Sequence, residues 1–550
     1  MSVHLSIYAQ ETAYERDYKR AVALYKTGEY TLAKNDLIPL TSSKYQNGLA
    51  PFAHYYYALA AQKSNQLTES RQMLLQLRER FPDWKKMDDV AYLQADISFR
   101  EKKWEDAIGY LEEITNATIK KEAEALKQYY VNKLQDISTL KNLNRQHPSD
   151  KIIALTLVDL IQKTSNEKVD LELSDELTNR FGVAPPRKSP ENKAVKKNTN
   201  NFQKGYYNVA VALPFRLKEF SGNDRVRANQ FAFDMYEGMK MAKAKLQQEG
   251  IIVNMFTYDV GSQPEEMLDI VNNTNFAQTD LIVGPVYNEP AHLAADFAED
   301  NGVYFVHPTT LSNDILTNHP NTLMLQASFD QQAVQGFDYM RSLPASTIRK
   351  VAIYYGSARR DSTLAVAYRT KATDAGFQVI DFRKTQENLD LTATLSESNK
   401  AGHIALFSSS ETDGNKLMVF LAKKRSHAPL FATASSFNVP DIQPSSFSER
   451  EVYLMNPEFI DTSKPQTRNF QIQYLSKRNT IPSLYALQGY DALLFFGRML
   501  HQYREKLRNG LDVRTYDDDY LLSGFNYQHS NENQIVPILK IENMRWVRVK

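Results

Sequence analysis

Catalysis needs particular residues at particular spacings, and this chain of 550 residues is sparing with them. It contains no cysteine, so it offers no disulfide, thiolate ligand, thiol nucleophile or lipid-bearing cysteine. Its 10 histidines are scattered, and none lies three or four residues from another, the spacing that sets two imidazoles on one helix face toward a metal. No Gly-x-Ser-x-Gly elbow, His-Glu-x-x-His helix, phosphate-cradling P-loop or Gly-x-Gly-x-x-Gly turn occurs. The acidic run Asp517-Asp-Asp519 has the composition of a cation site and reads instead as an exposed turn. The expectation is a protein that is not an enzyme and carries no metal or cofactor. A formal net charge of +1 gives no field that would draw nucleic acid, and no run of 18 apolar residues would span a membrane.

If the chain does not catalyse, its elements should be built to bind. The first third carries a repeat. Gly28-Glu-Tyr30-Thr-Leu-Ala33, Asn65-Gln-Leu67-Thr-Glu-Ser70 and Lys102-Lys-Trp104-Glu-Asp-Ala107 each precede an apolar helical pattern, with Ala33, Ser70 and Ala107 spaced 37 apart. Each unit reads as a helix, a tight turn holding a large side chain, a small residue, then a second helix. The small residue lets two antiparallel helices approach. A degenerate fourth pair runs through Tyr129–Leu143, and Lys151–Thr164 reads as a last amphipathic helix. The pattern resembles tetratricopeptide repeats over residues 12–181, with three more residues per unit than the usual 34. That resemblance implies a solenoid whose concave surface takes a protein or peptide partner.

Two flanking segments read differently. Residues 1–11, ending Tyr8-Ala9-Gln10 before a charged helix, look like the tail of a secretory signal, which predicts export to the periplasm or an equivalent compartment. Residues 182–205 are rich in Pro, Lys and Asn with little apolar content, so they cannot bury a core and read as a linker.

From residue 206 onward strands and helices alternate. Strands are expected at Tyr207–Leu213, Ile251–Tyr258, Asp280–Val283 and Val303–Val306, with helices at Asn229–Gln248, Glu265–Thr274 and Pro290–Asn301. After Pro308 a second series begins, with strands at Lys350–Tyr355, Gln378–Phe382, Ile404–Ser408 and Leu430–Thr433 and helices at Ser362–Ala375 and Lys416–Arg425. Two such series predict two parallel-sheet lobes with helices on both faces.

The stretch Asp280-Leu-Ile-Val-Gly-Pro-Val-Tyr287, continuing through Gly302-Val-Tyr-Phe-Val-His-Pro308, resembles the third and fourth strands of type I periplasmic binding proteins of the leucine/isoleucine/valine-binding group. Tyr207-Asn-Val-Ala-Val-Ala-Leu213, Tyr236-Glu-Gly238-Met-Lys-Met-Ala242, Lys350-Val-Ala-Ile-Tyr354 and Gly489-Tyr-Asp-Ala492 follow in the family's order. The resemblance covers residues 206–550 and implies two lobes joined by three crossings around a ligand cleft. In that cleft the family's Ser/Thr-rich carboxylate-gripping loop is replaced by Tyr287-Asn288-Glu289-Pro290. Thr309 and Thr310 keep hydroxyls after the fourth strand, with Leu311 at the threonine position, and Arg360-Asp361 stands where the family presents an aromatic platform. The loop Phe215–Asn229 holds Arg216, Arg225 and Arg227. Mapped onto that cleft, Arg225, Arg227, Tyr287, Asn288, Thr309, Thr310 and Arg360 would form a site for a small anionic ligand that is not an amino acid. His292 and His307 fall near it and read as loop or packing residues.

The expected fold is therefore an all-α tetratricopeptide-like solenoid followed by an α/β two-lobed binding-protein domain. The expected function is an exported, non-enzymatic small-ligand sensor coupled to a protein-binding module. The alternative is a ligand-free regulatory scaffold of cell-envelope (peptidoglycan) synthesis, because the module order is similar to that of outer-membrane lipoproteins that activate penicillin-binding proteins. Residues 1–550 depart from that group in holding no lipidation cysteine, which puts membrane anchoring in doubt.

Overall fold

The structure, a computed structural model, describes residues 13–44, 48–165, 167–181, 205–217, 229–273, 276–309, 313–385, 401–423, 426–438, 450–516, 519–542 and 545–550. The signal-like residues 1–11 and nearly all of the expected linker lie outside these ranges. The chain divides into two compact units, residues 1–196 and 197–550.

The first unit is built of consecutive helix pairs: α1 (Ala13–Lys26) with α2 (Tyr30–Leu37), α3 (Ala50–Lys63) with α4 (Leu67–Arg80), and α5 (Met87–Arg100) with α6 (Trp104–Glu112). Then come α7 (Ala117–Val131) with α8 (Ile137–Gln146), and α9 (Lys151–Thr164) with α10 (Lys168–Phe181). The repeat has a backbone cause. Gly28, Asn65 and Lys102 all turn left-handed, at φ 78°, 57° and 59°, and reverse the chain at the same point of three successive pairs. Tyr30, Leu67 and Trp104 then open the second helices, and Ala33, Ser70 and Ala107 are fully buried where helix meets helix. The Ser70 hydroxyl is satisfied by donating to the Ala58 carbonyl at 2.6 Å. The fourth pair begins earlier than its apolar pattern suggested, because Asn116 caps α7 by accepting from the Thr118 and Ile119 amides. Buried Asp96 ties three pairs together: it accepts from Gln62 on α3 at 2.7 Å, Arg100 at 2.9 Å and the Tyr130 hydroxyl on α7 at 3.1 Å.

The second unit contains two sheets. The first orders β2-β1-β3-β4-β5, all parallel, from β1 (Tyr207–Leu213), β2 (Val253–Asp259), β3 (Leu281–Val283), β4 (Tyr304–His307) and β5 (Thr322–Met324). Alternate residues of β1 feed opposite cores. Val209, Val211 and Leu213 meet α11 (Gln230–Gln248), while Ala210 and Ala212 meet α12 (Pro264–Val271) and α13 (Asn288–Asn301). The second sheet orders β12-β11-β10-β9-β8-β6-β7. It is formed by β6 (Lys350–Tyr355), β7 (Gln378–Lys384), β8 (His403–Phe407), β9 (Leu430–Thr433), β10 (Val452–Met455), β11 (Ile538–Glu542) and β12 (Arg545–Arg548). Helices α14 (Phe329–Arg341) and α15 (Arg359–Asp374) cover one face, and α16 (Asp413–Lys423) the other.

Two expectations need correction. The second series does not begin at Pro308, because β5 still pairs with β4 and completes the first sheet. Three residues are too few to show a period of two. Nor is the second sheet wholly parallel, since β11 and β12 add an antiparallel edge. The chain crosses between lobes three times: after β5, after β10, and after α19 (Leu507–Val513). Between the last two crossings α17 (Pro465–Arg478) and α18 (Leu484–Tyr503) return to the first lobe. There Gly238 and Gly489 let α11 and α18 touch backbone to backbone: a Cβ on Gly489 would lie 2.0 Å from the Met235 carbonyl.

Candidate functional site

In a sheet of this kind ligands bind beyond the carboxyl ends of the strands, where helix N-termini converge. The structure carries Tyr287, Asn288 and Thr309 to that edge of the first lobe, at the ends of β3 and β4, and Arg360 to the matching edge of the second, after β6. Tyr287 and Asn288 are exposed at the start of α13, and Arg360 is exposed in the first turn of α15. Arg225, Arg227 and Thr310 lie outside the described residues, as do Leu311, Asp517 and Asp518.

His307, at the end of β4, has no exposure at all. Its Nδ1 lies 3.0 Å from the Thr309 carbonyl and 3.4 Å from the Thr309 amide. Burial pulls its pKa down to about 4, so it stays neutral and serves packing. His292, one turn into α13, is also shifted down by burial. His319 is shifted up by its 3.0 Å contact with Asp296. Among the described residues no group of three His, Cys, Asp or Glu side chains could hold a metal.

What the sequence did not reveal is how many helix N-termini at these edges are already occupied by the chain itself. Asp361 in the first turn of α15 is almost fully buried. It accepts from the Ser409 hydroxyl at 2.6 Å, the Ser409 amide at 3.1 Å and the Ala358 amide at 3.2 Å. Asp413, which begins α16, accepts from Ser408 at 2.7 Å and Thr385 at 3.0 Å. Glu266 in α12 folds back onto the Gly261 amide at 2.5 Å, and Glu289 stands in the first turn of α13. At the end of β2, Asp259 accepts from the Arg216 and Leu217 amides at 2.8 and 2.7 Å. These positions attract negative charge through the helix dipole and unpaired amides, and here that role is filled internally. Asp361 was read as the loss of an aromatic platform; it is a brace between two loops. The Ser-Ser-Ser run before Asp413 was the available signal, since hydroxyls followed by an acid mark a capped helix start.

The second lobe adds a hydroxyl cluster around the Ser408 carbonyl, which accepts from Thr433 at 2.9 Å and Ser435 at 2.7 Å. Ser409 and Ser410 remain exposed beside it. At the hinge, the three crossings enclose a cavity of about 40 Å³ bordered by Ala327, Pro457, Gly524 and the α18 side chains Gln488 and Asp491. Asp491 is buried and holds the last crossing by accepting from the Leu521 and Leu522 amides at 2.9 and 2.8 Å. Burial pushes its carboxyl up to about 7 against the pull of those two amides. Lys464 donates to the Leu522 carbonyl at 2.9 Å and Thr467 to Leu521 at 3.2 Å, so the same segment is gripped from α17 as well.

Two doubly wound lobes, three crossings and a cleft between the strand ends define a bilobal binding protein. This chain belongs to the periplasmic binding protein family, whose model, described as "Periplasmic binding protein", matches residues 225–549. No curated protein matches the chain. Among solved structures it is similar to a protein described as a branched-chain amino acid ABC transporter from Rhodospirillum rubrum, at 16% identity and TM-score 0.50, covering 62% of this chain and 100% of that one. It is also similar to an ABC transporter substrate-binding protein from Desulfitobacterium hafniense in complex with Leu, at 18% identity and TM-score 0.42, covering 62% and 100%. Full-length LpoA from Haemophilus influenzae is similar at 15% identity and TM-score 0.45, covering 98% of this chain and 88% of that one. The family is one of binding proteins, typically without catalytic activity, and no helix among the described residues is long and apolar enough to cross a membrane.

Proposed function

We propose that this protein is an exported, non-enzymatic scaffold that binds another protein, with a binding-protein domain that does not depend on a captured amino acid. One observation carries the reading: the helix N-termini of α12, α13, α15 and α16 each hold a carboxylate of the chain itself, and those of Glu266, Asp361 and Asp413 already accept hydrogen bonds there. An incoming carboxylate would meet like charge where the fold otherwise offers amides. The tetratricopeptide-like character of the helix pairs supplies a protein-binding surface. The module order, similar to that of lipoprotein activators of penicillin-binding proteins, points to a partner in cell-envelope (peptidoglycan) synthesis.

The second reading, a small-ligand sensor using Arg225, Arg227, Tyr287, Asn288, Thr309, Thr310 and Arg360, is favoured by the exposed Ser409 and Ser410, of which Ser409 is bonded to Asp361 next to Arg360 at the start of α15. Thermal unfolding of the full chain with amino acids, sugars, nucleosides, small anions and muropeptides separates the two. A ligand present at about 100 times its Kd stabilises by roughly 2.7 kcal/mol. The scaffold reading expects no shift with any of them, and binding to a peptidoglycan synthase in a direct affinity measurement. A shift that Arg360→Ala removes would establish the sensor instead.

A further inference from the structure

A sheet has two edges, and a protein with two open sheets has four to protect. Three of these four are blunted. Strand β5 is short and covered, because its Met324 exchanges backbone hydrogen bonds with Asn531 and Asn533. Strand β7 ends in Arg383 and Lys384, carries buried Asp381, and its pairing with β6 is irregular at Val351/Ala352. Strand β12 has four residues and begins and ends in arginine. Among the described residues strand β2 has none of these devices, and only its last residue, Asp259, is met by a neighbouring turn, at Arg216 and Leu217. It runs seven residues, Val-Asn-Met-Phe-Thr-Tyr-Asp, in unbroken register with β1, and exposes Phe256 (48%) beside Ile252 (55%).

The register decides what can dock there. The Ile252 carbonyl accepts from the Tyr207 amide, so by alternation residues 252, 254, 256 and 258 turn their backbone groups inward to β1. Val253, Met255, Thr257 and Asp259 turn theirs outward. An antiparallel partner related by a two-fold axis at Phe256 sets Val253 opposite the mate's Asp259 and Met255 opposite its Thr257. All four outward residues then fall into hydrogen-bonded pairs, each exchanging two bonds. Phe256 meets its own copy in the close, non-hydrogen-bonded position, where aromatic pairs stabilise a sheet. The strand's one charge, Asp259, lies opposite valine and not opposite its own like. We propose that this edge pairs with a second copy of the chain, joining two five-stranded sheets across a two-fold axis.

Sedimentation of the full chain from about 1 to about 200 µM tests this, because a self-association follows mass action. The expected mass rises with concentration from 63.1 kDa toward twice that value. Phe256→Lys should remove the rise. So should Thr257→Pro, which deletes an outward amide and leaves the pairing with β1 intact; circular dichroism and melting confirm that both variants fold. The cysteine-free sequence permits a sharper test. A non-hydrogen-bonded pair sets Cα atoms about 4.5 Å apart, within the roughly 4.4–6.8 Å a disulfide accepts. Phe256→Cys should therefore oxidise to a covalent dimer, while Ile472→Cys, 66% exposed on α17, should not. A single 63.1 kDa species at every concentration overturns the proposal, and so does a dimer that both strand variants leave intact.

Discussion

His307 and His403 are both fully buried, and burial holds each near pKa 4 against an ordinary 6.5. The folded form therefore binds fewer protons than the unfolded chain between these values. Each histidine contributes stability that is complete above pH 6.5 and lost as pH falls toward 4, on the order of 3 kcal/mol apiece. His403 is the better probe, since among the described residues its ring has one hydrogen-bond partner, the buried Tyr368 hydroxyl 2.8 Å from Nε2, and otherwise packs against aromatic rings. Replacing the pair together, His403→Phe with Tyr368→Phe, avoids stranding either partner. The melting temperature of that variant should fall less steeply from pH 7 to pH 5 than that of the natural chain. Equal slopes would show that His403 does not remain neutral in the fold. At this scale the sequence was only partly legible. His307, read as a loop or packing residue, is fully buried; the Ser-Ser-Ser run hinted at the helix start of Asp413, but nothing marked the internal role of Asp361, because a carboxylate that accepts from a neighbouring loop has the same letter as one facing solvent.

Among the elements, legibility followed repetition and length. The helix pairs declared themselves because Ala33, Ser70 and Ala107 recur at a fixed interval. Strand β5 and the β11–β12 edge did not, being short and without a clean alternation. The repeat also explains a residue that looks out of place. Lys102 takes a left-handed conformation that Gly28 adopts without steric cost at the equivalent turn. Lys102→Gly should stabilise the helical unit by about 1 kcal/mol, read from the urea midpoint; a loss would mean that its side chain contributes more than its backbone costs. Gly489→Ala should act oppositely on the first lobe. The added methyl would press on the Met235 carbonyl and force α11 and α18 apart, costing about 3 kcal/mol. That contact is the physical reason for glycine in the Gly489-Tyr-Asp-Ala492 stretch.

For the molecule as a whole, the division into two compact units predicts separate cooperative transitions. Differential scanning calorimetry should resolve two, with Lys102→Gly moving one and Gly489→Ala the other. A single transition displaced by either substitution would show that the units unfold together. The two-lobed domain and its three crossings were legible because the landmarks fall in a fixed order along more than half of the chain, whereas the end of the first lobe and the antiparallel edge depended on where short strands join.

The interleaving of the first lobe sets an order of events during synthesis. Its sheet begins at Tyr207, yet the core it encloses is closed by Phe495, Phe525 and Tyr527, and its last edge is covered by Asn531 and Asn533. Residues 329–455, which build most of the second lobe, must emerge before those closing residues exist. The first lobe cannot mature until about 300 residues after its opening strand have been made, and contacts so distant in sequence form slowly. The first lobe of this design stays open through most of the synthesis of its own domain, and condenses only when the final stretch arrives.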